Sequence, residues 1–393
     1  MLASAAAPAR NLPDQSNKSP AIGPIKITTI TKMLPGADSP ICRRLCAIPW
    51  MMFTTRCAST MAAAHRFMRT GSRLFCLSEE SWARTIHNIA IPALWAPATL
   101  LYFRGMADLS KLVRTSKVAT NGIHLHIAEA GPPDGPLVLL LHGFPEFWYS
   151  WRNQIPPLAE RGFHVVAPDL RGYNLSDKPE GVAAYDLDQL AADVAGLADH
   201  FGREKFAVAG HDWGGAVAWW LAGLQPARVA RLAALNAPHP AVWIEAMRND
   251  PVQKRKSSYV RMFQLPYLPE LLIGINKGAL AKGFRDSTRP DAFTTDDLAR
   301  YRETWAQPGA LTATINYYRA VLKKPLRPAS EYRIAPPTLI IWGKRDAYAI
   351  PALAETSRLL CSNGRIEYLE QATHWVQHDE PDRVTALLAD FFK

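Results

Sequence analysis

The stretch Gly210-His211-Asp212-Trp213-Gly214-Gly215 sets a carboxylate between glycines. It lies where an apolar run, Phe206 to Ala209, meets a helical pattern, Trp213 to Leu224. A strand that turns this sharply into a helix needs residues without side chains on both sides of the apex. The turn lifts residue 212 clear of the sheet. The helix that follows aims its N–H groups and the positive end of its dipole at any developing anion. The apex residue is Asp, not Ser or Cys, and this decides the expected chemistry. A carboxylate suits displacement at a saturated carbon, which leaves an ester whose carbonyl belongs to the protein. No Gly-x-Ser-x-Gly occurs in the chain.

Partners for Asp212 follow along the chain. The run Thr338 to Trp342 reads as a strand and leads into Gly343-Lys344-Arg345-Asp346. The run Arg365 to Leu369 leads into Gln371-Ala372-Thr373-His374-Trp375. Both Asp346 and His374 are thus expected on loops just past strand ends, in the chain order nucleophile, acid, base. Paired in this way, the imidazole is a general base and the carboxylate stabilises the imidazolium it becomes. Among the other histidines, His211 is expected to pack in the turn, His142 to order its loop, and His378, beside Asp379 and Glu380, to be solvated. Leu141-His142-Gly143-Phe144-Pro145-Glu146 follows another apolar run. Its Phe144 backbone N–H, with that of Trp213, is expected to hold the oxyanion formed when water attacks the ester. The Phe144-Pro145 bond is a candidate for the cis form.

The elements that position these residues read as an α/β fold with a mostly parallel sheet. Val118–Thr120 and Ile123–Ala130 flank an Asn121-Gly122 turn and form an opening hairpin. Leu137–Leu141 is apolar throughout, as in a strand buried on both faces. His164–Ala167, Phe206–Ala209 and Val229–Leu235 are further strands. Asp186–Phe201 and Trp213–Leu224 are helices, and Pro381–Phe392 is a closing helix with Pro in its first turn. From Pro240 to about Pro328 the alternation stops, and Pro and Gly break the chain into helical pieces. That interruption is expected to be a helical insert over the carboxyl ends of the strands, where open α/β sheets bind ligands.

The chain has 393 residues, 48% of them hydrophobic, which excludes intrinsic disorder. No apolar run reaches the ~18–20 residues of a membrane-spanning helix. The net charge of +10 is unevenly placed. Residues 1–105 hold 12 basic and four acidic side chains; the remainder holds 33 and 31. The main body is therefore nearly neutral, and no nucleic-acid partner is expected. Four of the five cysteines precede residue 105, and only Cys361 lies beyond. Neither a disulfide framework nor a structural zinc site is expected, and a reducing, cytoplasmic location is. Residues 1–105 are expected to be a poorly ordered extension or an over-long start before Met106. A transit peptide, or an anchor through Ile89 to Phe103, would instead make the protein organellar or membrane-associated.

Four motifs carry a family resemblance: His142-Gly-Phe-Pro-Glu-Phe-Trp-Tyr-Ser-Trp151, Asp169-Leu-Arg-Gly-Tyr-Asn-Leu-Ser-Asp-Lys-Pro179, Gly210-His-Asp-Trp-Gly-Gly215 and His374-Trp-Val-Gln377. From about residue 112 onward the chain resembles the epoxide hydrolases of the α/β-hydrolase fold. The resemblance implies a mostly parallel eight-stranded sheet, with core segments 106–240 and 329–393 and a helical cap over 241–328. It also implies two cap tyrosines that donate to the epoxide oxygen. The patterns Tyr259-Val-Arg-Met-Phe-Gln264 and Asn316-Tyr317-Tyr318-Arg319 assign them to Tyr259 and Tyr318. Ring opening creates an alkoxide, and a phenol of pKa ~10 can protonate it. The implied substrates are an apolar epoxide and water, the product is a vicinal diol, and no metal or organic cofactor is needed. The alternative is a haloalkane dehalogenase-type reaction on the same Asp212. Asn174 stands where the family shows Gly, and Asn tolerates a left-handed backbone.

Overall fold

The computed structural model describes residues 109–276, 278–290 and 292–393. The expectations for residues 1–105 lie outside the described residues. A short helix α1 (Leu109–Leu112) precedes the hairpin β1 (Arg114–Thr120) and β2 (Ile123–Ala130). The other strands are β3 (Leu137–Leu141), β4 (His164–Pro168), β5 (Phe206–His211), β6 (Val229–Leu235), β7 (Thr338–Gly343) and β8 (Gly364–Leu369). Together they form one eight-stranded sheet in the order β1-β2-β4-β3-β5-β6-β7-β8. β1 and β2 pair antiparallel, as do β2 and β4; every later pairing is parallel.

Alternation along β3 shows how the sheet is buried. Val138 and Leu140 pack with Trp151, Ile155 and Leu388 on one face. Leu139 and Leu141 pack with Val194 and Val217 on the other. Helix α2 (Ile155–Ala159) and the closing helix serve the first face. Helices α3 (Leu187–His200) and α4 (Trp213–Leu224) cover the second. β1 begins four residues before the apolar pattern shows it, because Arg114–Lys117 are exposed and held by the backbone ladder to β2.

Seven α-helices run between β6 and β7 among the described residues. They are α5 (Pro240–Asn249), α6 (Pro251–Lys256), α7 (Ser258–Phe263), α8 (Leu268–Ile275), α9 (Ala279–Ser287), α10 (Thr295–Trp305) and α11 (Ala310–Lys323). Side chains stop and start several of them. Asp250 caps α6 through the Val252 and Gln253 N–H groups. Thr294 and Asp297 form a reciprocal capping box on α10. After β7 come α12 (Ala352–Arg358), the single turn α13 (Val376–Asp379) and α14 (Pro381–Phe391). No described helix is long and apolar enough to cross a membrane.

Candidate active site

Strands β3, β5, β6, β7 and β8 lie side by side and parallel, so their carboxyl ends open on one edge at a spacing of ~4.8 Å. Each end contributes one part of the site, in sheet order. β3 leads to Phe144, β5 to Asp212, β6 to Asn236, β7 to Asp346 and β8 to His374.

Asp212 sits at the apex of the β5–α4 turn with φ 50°, a left-handed conformation for a residue with a side chain. Close backbone packing compels it. A Cβ on Gly210 would strike the Gly214 carbonyl, and one on Gly214 would strike the Leu141 carbonyl. The Asp212 carboxylate does not cap its own helix. Its Oδ1 accepts from the Phe144 backbone N–H at 2.8 Å, and its Oδ2 lies 3.6 Å from His374 Nε2. The approach of Phe144 requires Gly143, where any Cβ would meet the Asp212 side chain. The Phe144-Pro145 bond is cis. Trp213, the first residue of α4, is buried and borders the cavity.

His374 Nδ1 bonds Asp346 Oδ2 at 2.8 Å. The same Oδ2 accepts from Asn236 Nδ2 at 2.7 Å, and Oδ1 accepts from the backbone N–H groups of Tyr348 (2.6 Å) and Ala349 (2.9 Å). Asp346 is buried. Burial alone would raise its pKa, but the His374 charge and these donors hold it below the usual carboxylate range. Burial pushes the His374 pKa down, yet the flanking Asp346 and Asp212 carboxylates outweigh it and hold the imidazole well above its ordinary value.

Tyr259, on α7, and Tyr318, on α11, reach the same cavity from the insert. That cavity is bordered by Asp212, Trp213, Trp243, Tyr259, Tyr318 and His374. The two phenol rings stand edge to face, 5.8 Å between centroids. Burial raises the pKa of both, and Asp212 raises each further. Both therefore keep their protons. Among the described residues no group of three or more His, Cys, Asp and Glu side chains is arranged to hold a metal ion.

His378 departs from expectation. It is buried, not solvated: its Nε2 bonds Glu146 at 2.7 Å and its Nδ1 lies 3.0 Å from Arg152 Nη1. The acidic neighbour that made it look exposed is occupied elsewhere, since Asp379 accepts from Thr373 and Arg289. His211 is buried as expected, with its ring between Glu146 (2.9 Å) and the His374 carbonyl (2.9 Å). His142 orders its loop by accepting from the Leu170 N–H at 3.0 Å. Asn174 takes φ 39°.

Sequence reasoning missed Glu146 and Asn236 as structural partners. Glu146 is fully buried and receives His211, His378, Gln377 and, from α10, the Tyr301 hydroxyl at 3.1 Å. Burial opposes its charge, but His378 and His211 outweigh this and hold it below the usual range. Asn236 stands directly after β6 at φ 42°, accepts from the Gly343 N–H at 2.8 Å and donates to Asp346 Oδ2. An amide directly after an apolar strand was the available signal.

Residues 136–381 match the model of the alpha/beta hydrolase fold family. The AB hydrolase superfamily protein YfhM of Bacillus subtilis is 48% identical over 282 residues, covering 72% of this chain and 98% of that protein. Human Epoxide hydrolase 4 is 39% identical over 284 residues, 70% of this chain and 78% of that one. A solved structure from a study of novel epoxide hydrolases in hot-environment metagenomes superposes with a TM-score of 0.65 at 35% identity, covering 71% of this chain and 98% of that one. The chain belongs to the α/β hydrolase fold family and, within it, is a relative of the epoxide hydrolases.

Proposed function

We propose that this protein hydrolyses an epoxide to a vicinal diol through an ester on Asp212. One observation carries the reading. A carboxylate with one oxygen held by the Phe144 N–H and the other facing His374 shares a cavity with two protonated phenols.

In the first step Asp212 Oδ2 attacks an epoxide carbon, the C–O bond breaks, and Tyr259 or Tyr318 gives the departing oxygen a proton. Esterification removes the Asp212 charge, one of the two that hold the His374 proton. The imidazolium then returns a proton to the tyrosinate and becomes the base. In the second step neutral His374 takes a proton from water, and the hydroxide attacks the ester carbonyl. The Phe144 and Trp213 N–H groups stabilise the oxyanion. Collapse releases the second alcohol and restores carboxylate, imidazolium and phenol. Asp346, held by Asn236 and two backbone N–H groups, orients His374 throughout.

The same Asp212 supports a second reading, displacement of halide from an alkyl halide, with the Trp213 indole as a donor. The paired tyrosines favour an oxygen leaving group, which needs a proton where halide needs none. Single turnover in heavy-oxygen water tests the covalent route: the diol should carry an unlabelled oxygen from Asp212. A diol containing one solvent oxygen in that first turnover overturns it, and halide release without diol formation selects the second reading. The domain layout that accompanies this function is a core of residues 106–240 and 329–393 beneath a cap of 241–328. Cys361, the one free cysteine of the described residues, supports a reducing, cytoplasmic setting.

A further inference from the structure

The near-neutral body conceals a charge asymmetry. Residues 251–285 carry seven basic side chains and a single acid, Glu270. The rest of residues 106–393 holds 26 basic and 30 acidic side chains, so a net +6 faces a net −4. Glu270 does not offset the local excess, because Arg319 clasps both its oxygens at 2.7 and 3.1 Å. Lys254, Arg255, Arg261 and Arg285 are exposed and have no carboxylate partner among the described residues.

The same stretch displays apolar surface. Leu265, Tyr267, Leu268, Leu271, Leu272 and Ile275 are all exposed, on α8 and the turn before it. They are six of the thirteen large hydrophobic side chains exposed among the described residues, gathered in one short segment and not scattered. Tyr267 is the extreme case. It is 84% exposed and adopts φ 61°, a strained backbone that no burial of its ring offsets.

We infer that the α8 face of the insert, with the basic side chains of α6, α7 and α9 that flank it along the chain, docks on a lipid surface bearing anionic headgroups. Leucines and an outward tyrosine suit the headgroup–acyl boundary, and unpaired lysine and arginine suit the phosphates above it. Charge argues against a second copy, since two such faces would set like cations against each other. Nucleic acid would leave the leucines unused. The face adjoins the tyrosine that points into the cavity. Gln264 Nε2 donates to the Tyr318 carbonyl at 2.9 Å, and Arg319 holds the Phe263 and Leu265 carbonyls at 2.9 and 2.8 Å. An apolar substrate dissolved in lipid would therefore meet the protein beside its cavity; that last step alone rests on the proposed function.

Flotation of the full chain with phosphatidylcholine vesicles, alone or mixed equimolar with phosphatidylserine, tests the inference. The wild type should bind the anionic vesicles at least about tenfold more tightly than the neutral ones. The double variant L271D/L272D should lose at least about tenfold in binding while melting at the wild-type temperature. A triple variant, K254E/R255E/R261E, should lose the preference for phosphatidylserine. Residues 1–105 are common to all three proteins, so any contribution they make cancels when the variants are compared with the wild type. Failure of the wild type to bind overturns the inference, as does equal binding by L271D/L272D. So does a wild-type dimer, seen by light scattering without vesicles, that L271D/L272D dissociates.

Discussion

The carboxyl edge of the sheet and the helical insert hold the two sides of one cavity by different means. At the sheet edge the backbone does most of the holding. Asp212 and Asp346 stand on turns whose glycines leave no room for a Cβ beside neighbouring carbonyls, Gly343 of the Asp346 turn packs in the same way on the Thr373 carbonyl next to His374, and Asp346 is gripped by main-chain N–H groups. In the insert, side chains reach for backbone. Gln253 bonds the Tyr348 carbonyl and the Ile350 N–H at 2.9 Å each, Tyr317 donates to the Arg171 carbonyl, and Trp305 to that of Pro145. Close main-chain packing has few alternatives, so Asp212 and His374 are held with little freedom. Side-chain ties tolerate exchange, so the insert can vary its lining while keeping its place.

The contrast can be broken most sharply at the apex. Asp212→Ala should lower diol formation by about 10⁴-fold or more, read by steady-state kinetics. His374→Gln should instead leave alkylation intact and trap the ester, visible as a covalent adduct by mass spectrometry. An unmodified His374→Gln protein after exposure to substrate would deny the two-step division between the regions. On the insert side, Tyr259→Phe and Tyr318→Phe should each slow alkylation by about 10- to 100-fold and leave ester hydrolysis nearly unchanged, as stopped-flow fluorescence would separate. Stability sharpens the same contrast. Gly343→Ala drives a Cβ into the Thr373 carbonyl and should cost about 1–3 kcal/mol in urea unfolding. Gly283→Ala, on α9 with open space at its Cβ, should gain about 0.5–1 kcal/mol.

The smallest effect concerns pH. The His374 pKa is raised in the folded protein, so its charge contributes stability below its ordinary value of 6.5, and that contribution fades as pH rises through the folded value. The stability gap between the wild type and His374→Gln should therefore be widest on the acid side of neutrality and close at higher pH. Ester hydrolysis should move the opposite way, falling as pH drops, because the base must be neutral. A gap that widens with rising pH would place the imidazole in a different charge state.

Legibility follows the same divide. β3, β6 and α4 have the bounds their apolar patterns predict, because mostly buried elements write their burial into their residues. The positions of Asp212, Asp346 and His374 just past strand ends were readable for the same reason. The exposed half of β1 was not, since its backbone is engaged while its side chains are exposed. In the insert only the helical character was readable; individual bounds depend on caps such as Asp250 and Thr294 that look like ordinary loop residues. His378 misled because a single helical turn, α13, has no period to reveal which face it buries. Glu146 was invisible as a hub because its partners come from three separate segments.

The 2.8 Å bond from the Phe144 N–H to Asp212 Oδ1 makes the two atoms of one carboxylate unequal. One is a resident, parked under a main-chain donor before substrate arrives and still there as the ester carbonyl. The other is a migrant that leaves with each diol and is replaced from solvent. Over many cycles in isotopic water the side chain should exchange one atom with every product released, and the second only as fast as the carboxylate can flip.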